Sequence, residues 1–152
     1  MEHITNKVAD LVREVESKKD DNAFSRIIPA LLKKGLENVN LSMFTEEKKL
    51  ELLNAIGDEY VKRNQVLDAI NVFKKTGNKN KLIQIGDEHN KVGLYSHAVR
   101  AYRIADAKEK LTRLGDKCLE EGHIAEAIEA YKHIEDQVRL NKVGDKCLEK
   151  EK

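Results

Sequence analysis

The chain has 152 residues, a formal charge of +1 from 28 basic and 27 acidic side chains, 36% charged and only 5% aromatic content, one proline and two cysteines. That length suffices for a buried core, and a composition poor in Pro and Trp but rich in Glu, Lys, Leu and Ala predicts an all-helical protein. The balanced charge argues against the clustered basic face that nucleic-acid binding requires. The longest apolar run, Ile27 to Leu32, is too short to span a bilayer, and the charged, amphipathic segment after Met1 predicts a cytoplasmic rather than a secreted protein.

Ile4, Val8, Leu11, Val12 and Val15 fall at helical spacing and predict a first helix, followed by a polar turn at Lys18-Lys19-Asp20-Asp21-Asn22. Phe24, Ile27, Ile28, Leu31 and Leu32 predict a second. Pro29 suits its first turn if Ser25 is the N-cap, and kinks it if Asn22 is the cap. Gly35 is expected to close this helix. The stretch from Leu36 to Phe44 has two readings, a decayed repeat with a short second helix or a partly helical linker. Thr45 then caps a long helix with Glu46 and Glu47 at its positive end, carrying an apolar stripe of Leu50, Leu53, Ile56, Tyr60 and Val61.

From that helix onward the sequence repeats. An aliphatic-Gly-Asp tripeptide recurs as Ile56-Gly57-Asp58, Ile85-Gly86-Asp87, Leu114-Gly115-Asp116 and Val143-Gly144-Asp145, so the glycines at 57, 86, 115 and 144 step by 29. Leu53, Leu82, Leu111 and Leu140 keep the same register, as do Ala69, Ala98 and Ala127, and Phe73, Tyr102 and Tyr131. A fixed period in this range predicts stacked helix pairs, each with a helix A, a turn, a helix B and a short return. The A-to-B turns are expected at Asn64, Gly93 and Gly122, and the next N-caps at Asn78, Asp106 and Asp136. A mid-helix glycine costs about 1 kcal/mol relative to alanine, so its recurrence implies a packing role, expected where helix A crosses the alanine of helix B.

These residues resemble the tetratricopeptide repeat, whose pattern runs large apolar, Leu-Gly and Tyr in helix A, then Gly, Tyr, Ala, Phe, Ala and Pro. The equivalents are Leu53, Ile56-Gly57, Tyr60, Asn64, Val66, Ala69, Phe73 and Thr76; then Leu82, Ile85-Gly86, His89, Gly93, Tyr95, Ala98, Tyr102 and Ala105; then Leu111, Leu114-Gly115, Cys118, Gly122, Ile124, Ala127, Tyr131 and Ile134. The family's proline is absent, and each unit is 29 residues against about 34 in the family. The resemblance implies an α-solenoid of antiparallel helix pairs occupying 1–152 as a single domain. N-terminal helices (1–44) lead into about three and a half repeats (45–152).

The sequence offers no nucleophile elbow, phosphate loop or H-E-x-x-H spacing, which predicts a protein that is not an enzyme and holds no metal or cofactor. Cys118 and Cys147 share one repeat position and read as core residues. The expected activity is protein binding, without nucleic acid or membrane partners. In the family the residue after the glycine faces the partner groove. Asp58, Asp87, Asp116 and Asp145 would therefore form an acidic column for a Lys/Arg-bearing peptide, completed by Asn54, Asn90, Leu119 and Arg113. The competing expectation is structural, with Lys62, Lys91, Arg113 and Lys142 pairing these aspartates within their own helices. The clamp that chaperone-binding relatives use for a peptide carboxylate is expected to be absent, because Asn54, Asp58, Gln84, Glu109 and Arg113 occupy its positions. The alternative function is self-assembly into a homodimer through the last helix, at Val143, Gly144 and Cys147.

Overall fold

A computed structural model of the protein describes residues 23–35, 41–42 and 44–151. The helix expected through Ile4 to Val15, the Lys18 to Asn22 turn and most of the Leu36 to Phe44 stretch lie outside them. The described residues contain eight α-helices and no strand: α1 (Ala23–Lys34), α2 (Glu46–Lys62), α3 (Val66–Thr76), α4 (Lys79–Lys91), α5 (Tyr95–Ala105), α6 (Lys108–Glu121), α7 (Ile124–His133) and α8 (Gln137–Lys150). Contacts gather the chain into two compact units, Met1–Val72 and Phe73–Lys152. Among the described residues no helix is long and apolar enough to cross a membrane.

In the first unit, α1 begins at Ala23, so Ser25 lies inside the helix and is not its N-cap. Pro29 falls in the second turn, where it forfeits one backbone bond while standing exposed on the solvent side. Gly35 closes the helix with φ 81, a backbone region that glycine enters without steric cost. The core joins Ile27, Ile28 and Leu31 of α1 to Phe44, to Leu52 and Ile56 of α2, and to Val72. Phe44 is buried without being helical; its amide donates to the Leu41 carbonyl at 3.1 Å. Thr45 caps α2 as expected, its hydroxyl accepting from the Lys48 amide at 3.3 Å. The buried arc of α2 is Leu52, Ile56 and Gly57, about one residue round from the expected stripe. Leu50 and Val61 face solvent in consequence, 46% and 38% exposed.

In the second unit, α4 packs with α5 and α6 with α7, α5 joins α6 and α7 joins α8, and α5 also touches α7. Their common core holds Val99 and Tyr102 of α5, Leu111, Leu114 and Cys118 of α6, Ala127, Ala130 and Tyr131 of α7, and Val143 of α8. The turns keep the repeat register. Positive φ recurs at Gly93 and Gly122 before the B helices, and at Gly77, Asp106 and Glu135 before the A helices. Asn78 and Asp136 cap α4 and α8 through their side chains, accepting from the Lys81 and Arg139 amides. Asp106 does not cap α6. The register that links 78 to 136 passes through Ala107, which is the N-cap and makes no side-chain cap bond. Asp106 instead occupies the left-handed column.

The glycine's neighbour also differs from expectation. A Cβ built on Gly86 would meet the ring of Tyr102, with Cδ1 at 2.6 Å and Cζ at 2.9 Å, and one on Gly115 would lie 2.6 Å from Tyr131 Cε1. Gly86 and Gly115 are therefore notches for the tyrosine of their own helix B, and Ala98 and Ala127 are fully buried. At Gly144 a Cβ would meet nothing within 4 Å.

Candidate functional site

The notch places each tyrosine hydroxyl against the residue that follows the glycine. Tyr102 donates to Asp87 Oδ1 at 2.5 Å, and Tyr131 donates to Asp116 Oδ1 at 2.7 Å. The same carboxylates receive a cation from the next helix A. Lys110 Nζ reaches Asp87 Oδ1 at 2.6 Å, and Arg139 Nε reaches Asp116 Oδ1 at 2.9 Å. One clasp thus ties α4, α5 and α6, and its copy ties α6, α7 and α8. Arg139 also pairs with the N-cap Asp136 at 2.7 Å, which holds the guanidinium between two carboxylates.

The electrostatics follow from this geometry. Partial burial pushes the Asp87 and Asp116 carboxyls upward. Hydrogen bonds from Lys110 and Tyr102, and from Arg139 and Tyr131, together with the nearby Lys91 and Lys142, outweigh it and leave both below the ordinary 3.8. Burial, followed by the adjacent carboxylate, drives the Tyr102 and Tyr131 hydroxyls well above their ordinary range. The phenols therefore stay protonated and the carboxylates ionised, the states in which this donor and acceptor match.

Two further ties share a separation of 27 residues. Lys117 Nζ donates to Asn90 Oδ1 at 3.2 Å and sits 5.1 Å from the centre of the Tyr95 ring. Lys146 Nζ donates to the Leu119 carbonyl. Tyr95 itself donates to Glu121 and meets His123 edge-on at 4.9 Å. On the B side, Arg103 pairs with Glu129 at 3.4 Å and His133 with Asp106 at 3.0 Å.

Of the residues expected to meet a partner, Asp87, Asn90, Asp116 and Leu119 thus line neighbouring A helices and are engaged between repeats. The side chains of Asp87 and Asp116 remain 38% and 47% exposed. For Asp87 and Asp116 the cation in contact comes from the next repeat, with Lys91 acting on Asp87 only through its nearby charge, and Arg113 pairs with Glu109 at 2.6 Å instead of Asp116. Asn54 and Asp58 lie half-buried on α2 of the first unit. Asp145 is exposed, and among the described residues no hydrogen bond or ion pair engages it. Of the expected self-association residues, Val143 is buried, at 3% exposure, in the core shared with α7, leaving Gly144 and Cys147 open.

Cys118 is fully buried and its thiol is pushed up to about 11 by that burial and by Glu126 and Glu121. His89 Nδ1 lies 2.8 Å from the Ile85 carbonyl, and its ring meets His97 edge-on at 5.4 Å. No group of three or more His, Cys, Asp and Glu among the described residues is placed to hold a metal ion. A scan of protein-family models, a search of curated proteins and a search of solved structures each returned no match.

Proposed function

We propose that this chain is a tetratricopeptide-like helical-repeat scaffold, cytoplasmic and without enzymatic chemistry, that binds a protein or peptide partner. The observation that carries this reading is the recurrence of one clasp, Asp87–Tyr102–Lys110 and Asp116–Tyr131–Arg139, at the 29-residue interval of the glycines. Nearest-neighbour ties of this kind are how stacked helix pairs hold together, and stacking leaves the A helices side by side as a recognition surface. The edge along Asp87, Asn90, Asp116, Leu119 and Asp145 is the surface offered. Its half-exposed carboxylates suit a peptide bearing Lys or Arg, and in the first unit Asn54 and Asp58 hold the equivalent positions of the 29-residue register. A second reading, a homodimer through α8, draws on the exposure of Gly144 and Cys147.

The test is cross-linking mass spectrometry on the tagged chain in cell lysate. A stoichiometric partner cross-linked through Lys91, Lys117 and Lys142 supports the scaffold reading. Cross-links only between two copies of α8, together with a dimeric sedimentation mass, favour the second. Recovery of neither refutes both.

A further inference from the structure

The returns from each B helix to the next A helix form a basic edge in the second unit. Lys74 and Lys75 end α3, Arg103 ends α5, and Lys132 and His133 end α7, while Lys79 and Lys108 open α4 and α6. Lys74, Arg103 and Lys132 share one position of the 29-residue register, and Lys79 and Lys108 share another. Two contacts set the later returns side by side: His133 Nε2 lies 3.0 Å from Asp106 Oδ1, and Arg103 Nη1 lies 3.4 Å from Glu129 Oε2. The earliest return joins them at Asp106. The His133 bond first, and the charges of Lys108 and Lys79 after it, hold that carboxyl below the ordinary 3.8.

Most of this charge is unmatched. Glu129 answers Arg103 and Asp106 answers His133, and Glu109 and Asp136 are taken by Arg113 and Arg139. Among the described residues, the exposed side chains of Lys74, Lys75, Lys79, Lys108 and Lys132 make no hydrogen bond or ion pair, and Glu135 alone of the acids on this edge is left to face them. Cations suit the carboxyl ends of α3, α5 and α7, where the helix dipole favours them. Lys79 and Lys108 stand at amino ends, where the same dipole repels them, and α4 has no acid in its first turn. Their return at that unfavourable place is what points outward.

We infer that this edge docks an extended acidic segment of a partner protein, with carboxylates seated against Lys79, Lys108 and Lys132. It is a second surface, distinct from the A-helix edge of the scaffold reading. Charge complementarity selects the occupant. Neighbouring helices pack about 8–10 Å apart and an extended chain advances about 3.3–3.6 Å per residue, so acids at every third residue meet successive returns. A single-stranded nucleic acid is the poorer fit, because it needs aromatic platforms for its bases, and Tyr95, Tyr102 and Tyr131 are all buried.

The probe is a fluorescein-labelled peptide of about twelve residues with glutamate at every third position and serine and glycine between, a spacing set by the extended chain. Titrated against the full chain by anisotropy, it should bind one-to-one, and more tightly than a peptide of the same composition with its glutamates gathered at one end. Lys79→Gln with Lys108→Gln should weaken binding threefold to tenfold, and Lys79→Glu with Lys108→Glu at least tenfold. Lys33→Glu with Lys62→Glu, which changes net charge equally on the first unit, should leave affinity within twofold. Equal losses from the two Glu pairs would overturn the proposal, as would tighter capture of a uridine oligonucleotide or of phosphatidylserine vesicles. So would a carbodiimide cross-link, in the full chain alone, from Lys79 or Lys108 to residues 1–22, which would give the edge to the chain itself. Each of these failures leaves binding along the A helices untouched.

Discussion

Equivalent glycines 29 residues apart should respond to alanine with opposite signs. At Gly115 the new methyl would stand 2.6 Å from Tyr131 Cε1 and 3.1 Å from Cδ1 and Cζ, whereas carbon contacts settle near 3.5–4.0 Å. Tyr131 is fully buried, so its ring retreats only by straining the core, at about 1–3 kcal/mol. That movement also draws the hydroxyl from Asp116, about 1–2 kcal/mol for a bond to a half-exposed charged acceptor. Against these stands a gain of about 1 kcal/mol from replacing a helical glycine. The net is a loss of about 1–4 kcal/mol. At Gly144 the opposing contacts are missing, and only the gain of about 1 kcal/mol remains. Urea unfolding followed by circular dichroism separates the two. With a denaturant slope of about 2 kcal/mol per molar, Gly115→Ala should lower the midpoint by roughly 0.5–2 M and Gly144→Ala should raise it by roughly 0.5 M. A midpoint raised equally by both would refute the notch.

Other outcomes follow from the clasps and the thiols. Tyr131→Phe should cost about 1–2 kcal/mol in the same assay, because it leaves Asp116 without its phenol donor while the ring packing survives. Asp116→Asn should lower the midpoint by about 1 kcal/mol equivalent, since it weakens both the phenol bond and the Arg139 pair. The lowered Asp87 and Asp116 carboxyls hold fewer protons folded than unfolded. Their contribution is full above the ordinary 3.8 and disappears as pH falls through their depressed native values. The raised Tyr102 and Tyr131 hydroxyls work in the other direction, contributing fully below the ordinary 10.0 and losing that contribution as pH climbs beyond it. Denaturation midpoints across pH should show both slopes, and the double Tyr102→Phe, Tyr131→Phe variant should have a shallower alkaline one, keeping the part that the raised Cys118 thiol contributes. Native protein should release one thiol rapidly to a disulfide reagent, Cys147, with Cys118 reacting only on unfolding.

Much of this was legible in the sequence because the period of 29 is kept without slippage. Asn64, Gly93 and Gly122 all fall at the expected turns, in left-handed conformation, and Thr45, Asn78 and Asp136 all cap as their residue types predict. Two of the misses share one cause, preference for local chemistry over register. Asp106 is a better N-cap than alanine in isolation, yet the register assigns that place to Ala107. The aspartates suggested partners three or four residues away, as helix geometry does for any charge. Their cations instead stand 23 positions on, at Lys110 and Arg139, a separation that only packing of one repeat on the next creates. The recurrence of a cation at Lys81, Lys110 and Arg139 was the available signal. Leu52 occupies that position one period earlier, and there the side chain is buried in the first unit's core. The glycine's true neighbour was illegible from spacing alone, since either Ala98 or Tyr102 on α5 could have faced Gly86.

The order of groups within a clasp has a temporal consequence. Acceptor, phenol and cation occur in that sequence along the chain, at 87, 102 and 110, and again at 116, 131 and 139. During synthesis the amino-terminal portion emerges first. The phenol that satisfies one lone pair of the carboxylate is therefore synthesised before the cation that balances its charge. Each finished pair presents a ready, charged socket to the helix emerging next, and that helix brings the following carboxylate with it. Within each clasp the order is thus fixed by the sequence, the later helix supplying the charge that the earlier pair leaves unmatched.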